Sequence, residues 1–436
     1  LSVPGGDVPA QIRFAEEYFP GLRQLLSTAP ETAPDLAALR LRIEQRQGDA
    51  DAERAQQRPQ AWLRGRVIGS YEQRDDIGDD FRGDLNANFT VTQPLYHWGQ
   101  LRRRVDVAEQ RIELEGAQQE MGWQRHLMEL RRTYLDWLLL LERERILRPS
   151  LELAADLVDI YRQLVDAGQA AEHDLLEMEA RLLETRESLA FVEKGIAAAK
   201  GKLRRLTGAE IDFTTLARRD LGVIEPMTAD AFGDFARACR EAAGVHSTPA
   251  EERFRILGEI EDEQLAILDK QNWPKLDFIA GIFSDRLDAV GQNETVLRIQ
   301  YFAGVQLNWN VFDSWQNDAR KRSSLARKRI YEYQEEAARS EKEERLETLL
   351  AQVRLNLQQV EARSKRKAIL ERRVELLREQ AQRNIVTGTD RLEGEIDYLE
   401  LSQRLLQARV DYLVNLMRIG VLLDAEPMKP SWQNEQ

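Results

Sequence analysis

Four stretches of this chain alternate apolar and polar positions with the period of two that a β-strand imposes. Ala61, Leu63, Gly65, Val67, Gly69 and Tyr71 alternate with Trp62, Arg64, Arg66, Ile68, Ser70 and Glu72. After an Asp- and Gly-rich loop at 75–83, Leu85, Ala87, Phe89 and Val91 alternate with Asn86, Asn88, Thr90 and Thr92, the clearest strand in the chain. Leu276, Phe278, Ala280 and Ile282 mark a third, and Leu297, Ile299, Tyr301, Ala303, Val305, Leu307 and Trp309 a fourth, with Gly291-Gln292-Asn293 between them. Strands are therefore expected at about 61–73, 84–96, 275–287 and 295–311. At ~3.3 Å per residue, tilted strands of a dozen or more residues cross an apolar band of ~25 Å, whereas globular strands average about five or six residues.

Most of the remaining pattern is helical. Residues 36–57 form one helix opened by Pro34 and Asp35 and ended by Pro59. Residues 99–167 and 314–383 read as two very long helices rich in Arg, Glu, Gln and Ala, each reaching roughly 100 Å if unbroken. Pro149 lies inside the first, while the equivalent position of the second is Lys365; a kink or break near Arg148 is expected in one helix only. Leu182, Leu189, Val192, Ile196, Ala199, Leu203 and Leu206 recur at coiled-coil spacing, as do Leu346, Leu349, Val353, Leu357 and Val360. The stretch 320–347, where acids and bases alternate, reads as a solvated helix face. Trp123, Tyr134 and Trp137 read as helical core.

The chain repeats itself. Pro34 and Pro249 each open a helix, and Pro59 and Pro274 each precede a strand, both pairs at one common offset. With a drift of a single position the correspondence continues: Leu95-Tyr96-x-x-x-Gln100 answers to Val311-Phe312-x-x-x-Gln316, and Asp174-x-Leu176-Glu177-x-Glu179 to Asp390-x-Leu392-Glu393-x-Glu395, through Leu206 and Leu422. A period of nearly half the chain, so far beyond the roughly 20–50 residues of solenoid repeats, marks a duplicated structural half. The expected organisation is a first repeat at 1–210 (helix, two strands, long helix, turn, helix), a linker at 211–225, a second repeat at 226–424 and a tail at 425–436.

Composition narrows the function. The 436 residues hold 75 acidic and 62 basic side chains, a net charge of −13, and a net acidic surface argues against reading a phosphate backbone; no nucleic-acid partner is expected. The lone Cys239 excludes an intrachain disulfide and reads as a small buried residue. No run approaches the ~18–20 apolar residues of a membrane-spanning helix, the best being 137–141 between Asp136 and Glu142, but this leaves a β-barrel open. A first residue Leu1 in place of Met suggests a removed export signal, and without a cysteine there a lipid anchor is not expected.

Four strands cannot close a barrel alone, and an open sheet in hydrocarbon would leave two unsatisfied edges. Closure is expected from further copies: three protomers supply twelve strands, with the helices continuing the cylinder into water. Trp62, Tyr71, Phe89, Phe283 and Tyr301 suit an aromatic girdle and, equally, ordinary strand packing.

These features resemble the TolC-like outer-membrane efflux proteins from Pro34 to Asp424, in both halves. The matching motifs are the strand-to-helix junction Gln93-Pro94-Leu95-Tyr96-x-Trp98-Gly99-Gln100 leading into Arg104-x-x-x-Ala108-Glu109, with Phe312 in the second copy, and the turn Gly168-x5-Asp174-Leu175-Leu176. The resemblance implies a mainly α fold with a membrane β-barrel, trimeric, whose 12-stranded barrel sits in the bacterial outer membrane and whose α-helical barrel projects through the periplasm. It implies a passive exit duct for efflux or type I secretion, without cofactor or catalysis. Its partners would be a periplasmic adaptor (membrane fusion protein), an inner-membrane transporter of the RND or ABC type, and outer-membrane lipid. In that family the tip lies where each long helix turns back, here 167–174 and 383–390, with Gly168, Asn384 and Gly388 at the turns. The carry-over assigns the aperture gate to Asp390 and Glu393, with Asp174 and Glu177 as first-copy counterparts. Rings of carboxylates on a symmetry axis attract cations and retard anions. An Asp at a helix start also stabilises it by about 0.5–2 kcal/mol whatever the protein does. Asn384 departs from the glycine usual at the second turn but tolerates the left-handed conformation.

Other chemistry lacks its residues. His97, His126, His173 and His246 form no HExxH set, and Glu172-His173-Asp174 reads better as a polar turn than as a metal site. There is no Gly-x-Ser-x-Gly elbow, Walker loop or strand-linked Gly-x-Gly-x-x-Gly. The rival reading is a soluble periplasmic coiled-coil adaptor or scaffold. The long strands weigh against it, because their apolar row would expose a patch beyond a few hundred Å².

Overall fold

A computed structural model describes residues 12–74, 78–216, 221–288, 295–383 and 388–428. The described residues are mainly α-helical with one antiparallel sheet. The order is α1 (Ala15–Tyr18), α2 (Pro20–Thr32), α3 (Pro34–Ala55), β1 (Gln60–Arg74), β2 (Gly78–Tyr96), α4 (Gln100–Asp166), α5 (Glu172–Thr207) and α6 (Phe213–Leu216), then α7 (Ala229–Val245), α8 (Pro249–Asp269), β3 (Lys275–Asp288), β4 (Thr295–Asn308), α9 (Gln316–Gln382) and α10 (Gly388–Leu422). The duplication is visible in the elements themselves: α4 and α9 are both 67 residues long, and they begin at the equivalent residues Gln100 and Gln316.

The backbone repeats at its special points too. Positive φ angles recur at equivalent positions of the two halves: Trp98 (56°) and Ser314 (54°), Gly99 (78°) and Trp315 (65°), and Gly208 (65°) and Asp424 (54°). The first two pairs make the bend from strand into long helix. There Gln100 N–H donates to His97 C=O (3.0 Å) and Gln316 N–H to Asp313 C=O (3.2 Å). The last pair ends α5 and α10 in left-handed caps. Only glycine fits at 208, because a Cβ there would collide with the Thr32 carbonyl oxygen.

The chain divides into two compact units. One comprises Leu1–Arg40, Gln119–Pro249 and Ala337–Gln436. Its core gathers Phe19, which caps α2, with Leu22 and Leu26 of α2, Trp123, Leu127, Leu130, Tyr134 and Trp137 of α4, and Met417 of α10. Most of the expected stripes lie in it, with Val192, Leu203 and Leu206 on α5 and Leu346, Leu349, Val353 and Leu357 on α9 buried, while Leu182 and Val360 pack in separate smaller clusters and Leu189 in none of these. At its centre Arg131 is fully buried and donates to both carboxylates of a pair, Glu16 (Nε to Oε2, 2.9 Å) and Glu426 (Nη1 to Oε2, 2.7 Å). Trp123 Nε1 donates to the Met428 carbonyl at 2.9 Å, so residues 425–428, expected as tail, are built into this core. The expected linker also packs inward: Ile211, Phe213, Leu216, Leu221 and Ile224 are buried. α4 runs unbroken through Pro149, so the expected break does not occur. Ser150 Oγ donates to the Ile146 carbonyl (2.9 Å), and the buried neighbours Ile146 and Ala154 hold the helix on either side.

The other unit comprises Leu41–Gln118 and Ala250–Glu336 and holds the sheet, ordered β1-β2-β3-β4. β2 begins at Gly78, earlier than its alternation suggested, because residues 78–83 pair with β1 although their Asp and Gly read as loop. β4 ends at Asn308, where Trp309 turns its Nε1 to the Asn272 carbonyl at 3.0 Å. The register places Leu63, Phe89, Ile282 and Tyr301 in one row across all four strands, and all four are exposed. Ala61, Val91, Ala280 and Ala303 form the next row of this apolar face. Trp62 and Phe283 fall on the opposite face, so the aromatic girdle as drawn from the sequence does not share one surface. That second face is polar, with Arg64, Asn88 and Gln300 in a row with Phe283. Gly281 permits the Phe302 ring to lie over it, since a Cβ would approach that ring to 2.8 Å. The charged face of α9 is not uniformly solvated: buried Glu261 of α8 accepts from Ser324 Oγ (2.5 Å) and Arg327 Nε (2.8 Å).

Candidate functional site

The first tip turn follows from one glycine. Gly168 takes φ +72°, which lets Gln169 N–H reach the Leu164 carbonyl (2.8 Å) and Gly168 N–H the Val165 carbonyl (2.9 Å), satisfying the last carbonyls of α4. The chain then enters α5, where Asp174 Oδ2 accepts the Ala171 N–H at 3.2 Å. Asp174 is thus a helix cap, half-buried, while Glu177 one turn on is exposed. His173 Nε2 lies 3.0 Å from Asp174 Oδ1, a contact between sequence neighbours that regular helix geometry would not give and that the first turn allows. Among the described residues no cluster of three or more His, Cys, Asp or Glu side chains is arranged to hold a metal.

At the second tip, α9 ends at Gln382 and α10 opens at Gly388. Asn384 lies outside the described residues. Gly388 is the first residue of α10, the counterpart of Glu172 in α5, so it belongs to the helix and not to the turn where the sequence placed it. Asp390 is exposed and Glu393 half-buried on the first turns of α10.

Packing brings these carboxylates to one place. Leu392 and Ile396 of α10 are buried against Leu157 and Val158 of α4 and Met178 of α5. Tyr161, one turn beyond Val158, then stands in a field that raises its phenol pKa: burial is the largest cause, followed by the charges of Glu393, Asp174, Asp390 and Glu177. All four sequence-predicted carboxylates therefore act on a single side chain. Tyr161 was missed by the sequence reading, and its only signal was an aromatic where the second copy has Leu377. The arrangement concentrates negative potential around Tyr161 and disfavours its phenolate.

Behind the carboxylates, each pair of helices carries the same ion pair. Arg162 Nη2 meets Glu179 Oε1 at 3.3 Å between α4 and α5, and Arg378 Nε meets Glu395 Oε1 at 2.8 Å between α9 and α10.

The strand-to-helix junction is the other place the sequence singled out. Pro94 sits at a β-bulge in which the β2–β3 register skips Leu95, an irregularity that suits a residue without an N–H. Gly99 makes the left-handed step into α4, and Trp98 Nε1 donates to the Pro274 carbonyl at 2.7 Å. The Trp98 ring meets Trp273 (4.6 Å) and Tyr96 (4.7 Å) edge-on. His97 Nε2 pairs with Asp277 Oδ1 at 2.7 Å. In the second copy, exposed Phe312 stands edge-on to exposed Trp315, with centroids 6.5 Å apart.

Residues 25–209 match the family model described as outer membrane efflux protein. No curated protein matches the chain in sequence. Among solved structures the fold is similar to the Campylobacter jejuni CmeC outer membrane channel, with a TM-score of 0.74, 12% identity, and coverage of 100% of this chain and 96% of that one. It is similar to the open state of the Neisseria gonorrhoeae MtrE outer membrane channel (TM-score 0.73, 16% identity, 97% and 93% covered). The outer membrane protein VceC of Vibrio cholerae also shares it (0.68, 16%, 95% and 99%).

Proposed function

We propose that this chain, a member of the outer-membrane efflux protein family whose full length takes the fold of TolC-like channels, is the exit duct of a tripartite efflux or type I secretion system. Its place is the bacterial outer membrane, with the helices in the periplasm, and its family consists of channels rather than enzymes. The observation that carries the reading is the sheet. Its apolar face is exposed along the row Leu63, Phe89, Ile282 and Tyr301, and among the described residues β1 and β4 are edges without a partner. Hydrocarbon tolerates such a face but not such edges. Pairing β4 of one copy with β1 of the next removes both, and three copies give a closed 12-stranded barrel.

The helices support the same closure. α5 exposes Leu176, Leu183 and Phe191 at near-heptad spacing, and α9 exposes Leu376, Ile369, Ala362 and Leu355. Taken outward from their turns, the first three of each set match in order, with Phe191 opposite the small Ala362, as an antiparallel coiled-coil seam between copies requires. In the trimer, Asp390 and Glu393, with Asp174 and Glu177, line the aperture, and Tyr161 steadies them. A periplasmic adaptor and an inner-membrane pump of the RND or ABC type open it.

The test is single-channel recording of detergent-purified protein in a planar bilayer, with Asp390→Ala plus Glu393→Ala beside wild type. The duct and gate predict a small cation-preferring current that grows or loses preference in the variant. An indifferent variant keeps the duct and moves the constriction elsewhere. Protein that is monomeric without detergent and never inserts would instead be the soluble coiled-coil adaptor or scaffold.

A further inference from the structure

Two neighbouring rows on the polar face of the sheet carry charge of a sign that neither the acidic composition nor the acidic tip leads one to expect. Along it, outward from the junction pair His97–Asp277, the charged side chains among the described ones are Arg64, Arg66 and Arg298, all exposed. The register fixes their heights. Arg64 lies in the row of Asn88, Phe283 and Gln300, and Arg66, paired with Asn86, lies two residues further along β1, ~7 Å at ~3.4 Å per residue. Arg298, two residues from Gln300 on β4, stands at the height of Arg66 and donates to Gln300 Oε1 at 3.2 Å. Among the described residues the guanidinium groups of Arg64 and Arg66 make neither a hydrogen bond nor an ion pair. Asp285 pairs with Arg298 in register, so these two rows hold three cationic positions and one anionic one, with Asp84, opposite Ile68, in the row beyond.

Arg64 and Arg66 lie on one edge strand and Arg298 on the other. Pairing β4 of one copy with β1 of the next turns this face inward and brings the three guanidiniums to both sides of each seam. We propose that Arg64, Arg66 and Arg298 form an anion-selective belt in the barrel lumen that receives carboxylate or phosphate groups on departing cargo. The inference rests on the duct reading. Guanidinium matches those oxyanions bidentately, and a ring of them in a narrow pore raises the local concentration of anions as an acidic ring raises that of cations. The duct would thus filter twice, with opposite signs, and suit cargo bearing both charges.

Reversal potentials under a salt gradient test this in a background whose tip is neutralised by Asp174→Asn, Glu177→Gln, Asp390→Asn and Glu393→Gln, every variant first shown to be trimeric in detergent. That background is expected to prefer anions, and adding Arg64→Gln, Arg66→Gln and Arg298→Gln to lower the anion-to-cation permeability ratio by about threefold or more. Inorganic pyrophosphate added on the barrel side should block current in the background and not in the arginine variant. A permeability ratio and block unchanged by the arginine substitutions overturn the belt while leaving the duct. Absence of conductance from every protein, wild type included, overturns the duct and the belt together.

Discussion

Arg378 Nε donates to Glu395 Oε1 across 2.8 Å, tying α9 to α10, and at the equivalent positions of the first half Arg162 and Glu179 make the same tie between α4 and α5. Both pairs sit beside the candidate aperture, and the Arg378 pair is the better protected, with Glu395 15% exposed. Solvent at Arg378 limits its contribution to about 0.5–1 kcal/mol. Arg378→Ala is therefore expected to leave the fold intact and to speed hydrogen exchange at the start of α10, and the swap Arg378→Glu with Glu395→Arg to restore protection. Equal exchange in wild type and Arg378→Ala would mean that this tie does not hold the start of α10.

Arg131 predicts a larger effect. Burial opposes its charge, but the carboxylates of Glu426 and Glu16 outweigh this and raise its pKa. Arg131→Met would strand two buried carboxylates, a loss of about 3–5 kcal/mol. Replacing Glu16 and Glu426 by leucine in the same protein should recover most of it. Thermal unfolding followed by circular dichroism distinguishes this from a simple packing defect, which the added leucines would not repair.

His126 gives the first unit a pH dependence. Burial lowers its pKa, against the raising influence of Asp35 and the Leu206 backbone. The unfolded chain takes up a proton near pH ~6.5 while the folded one does not, so this contribution is full above about pH 6.5 and declines as the pH falls through it. Urea midpoints at about pH 7.5 and 5.5 should differ more in wild type than in His126→Gln; an equal difference would assign the acid sensitivity to other groups.

Tyr161 reports directly on the four candidate gate carboxylates. With Asp390→Asn and Glu393→Gln its phenol should titrate lower than in wild type yet still above the ordinary value, because burial remains. Ultraviolet difference titration against Tyr161→Phe isolates the signal. An unmoved titration would mean that these carboxylates do not converge on it.

These cases also show what the sequence reveals. Leu85 to Val91 alternate because one face of β2 is apolar and the other polar, and that information is local. The opening of the same strand, Gly78 to Gly83, is set by its partner β1 and looks like a loop to any reading that lacks the partner. α2 escapes for a related reason: Pro20 and Pro30 disguise a helix whose Phe19 boundary, Leu22 and Leu26 are fixed by burial. The four carboxylates stand out because they recur at one offset, whereas Tyr161 occurs once and acquires its surroundings only when α10 packs on α4.

The left-handed positions have a consequence for ancestry. Gly99 and Gly208 answer to Trp315 and Asp424, residues that hold similar positive φ angles at a cost of about 1–2 kcal/mol each. The joint has outlived the residue best suited to it. What the two halves inherit in common at these places is a set of torsions, which neighbouring packing can enforce on almost any side chain. Descent recorded in torsions leaves few letters to align, and a fold can then be held in common with outer membrane channels at only 12% to 16% identity.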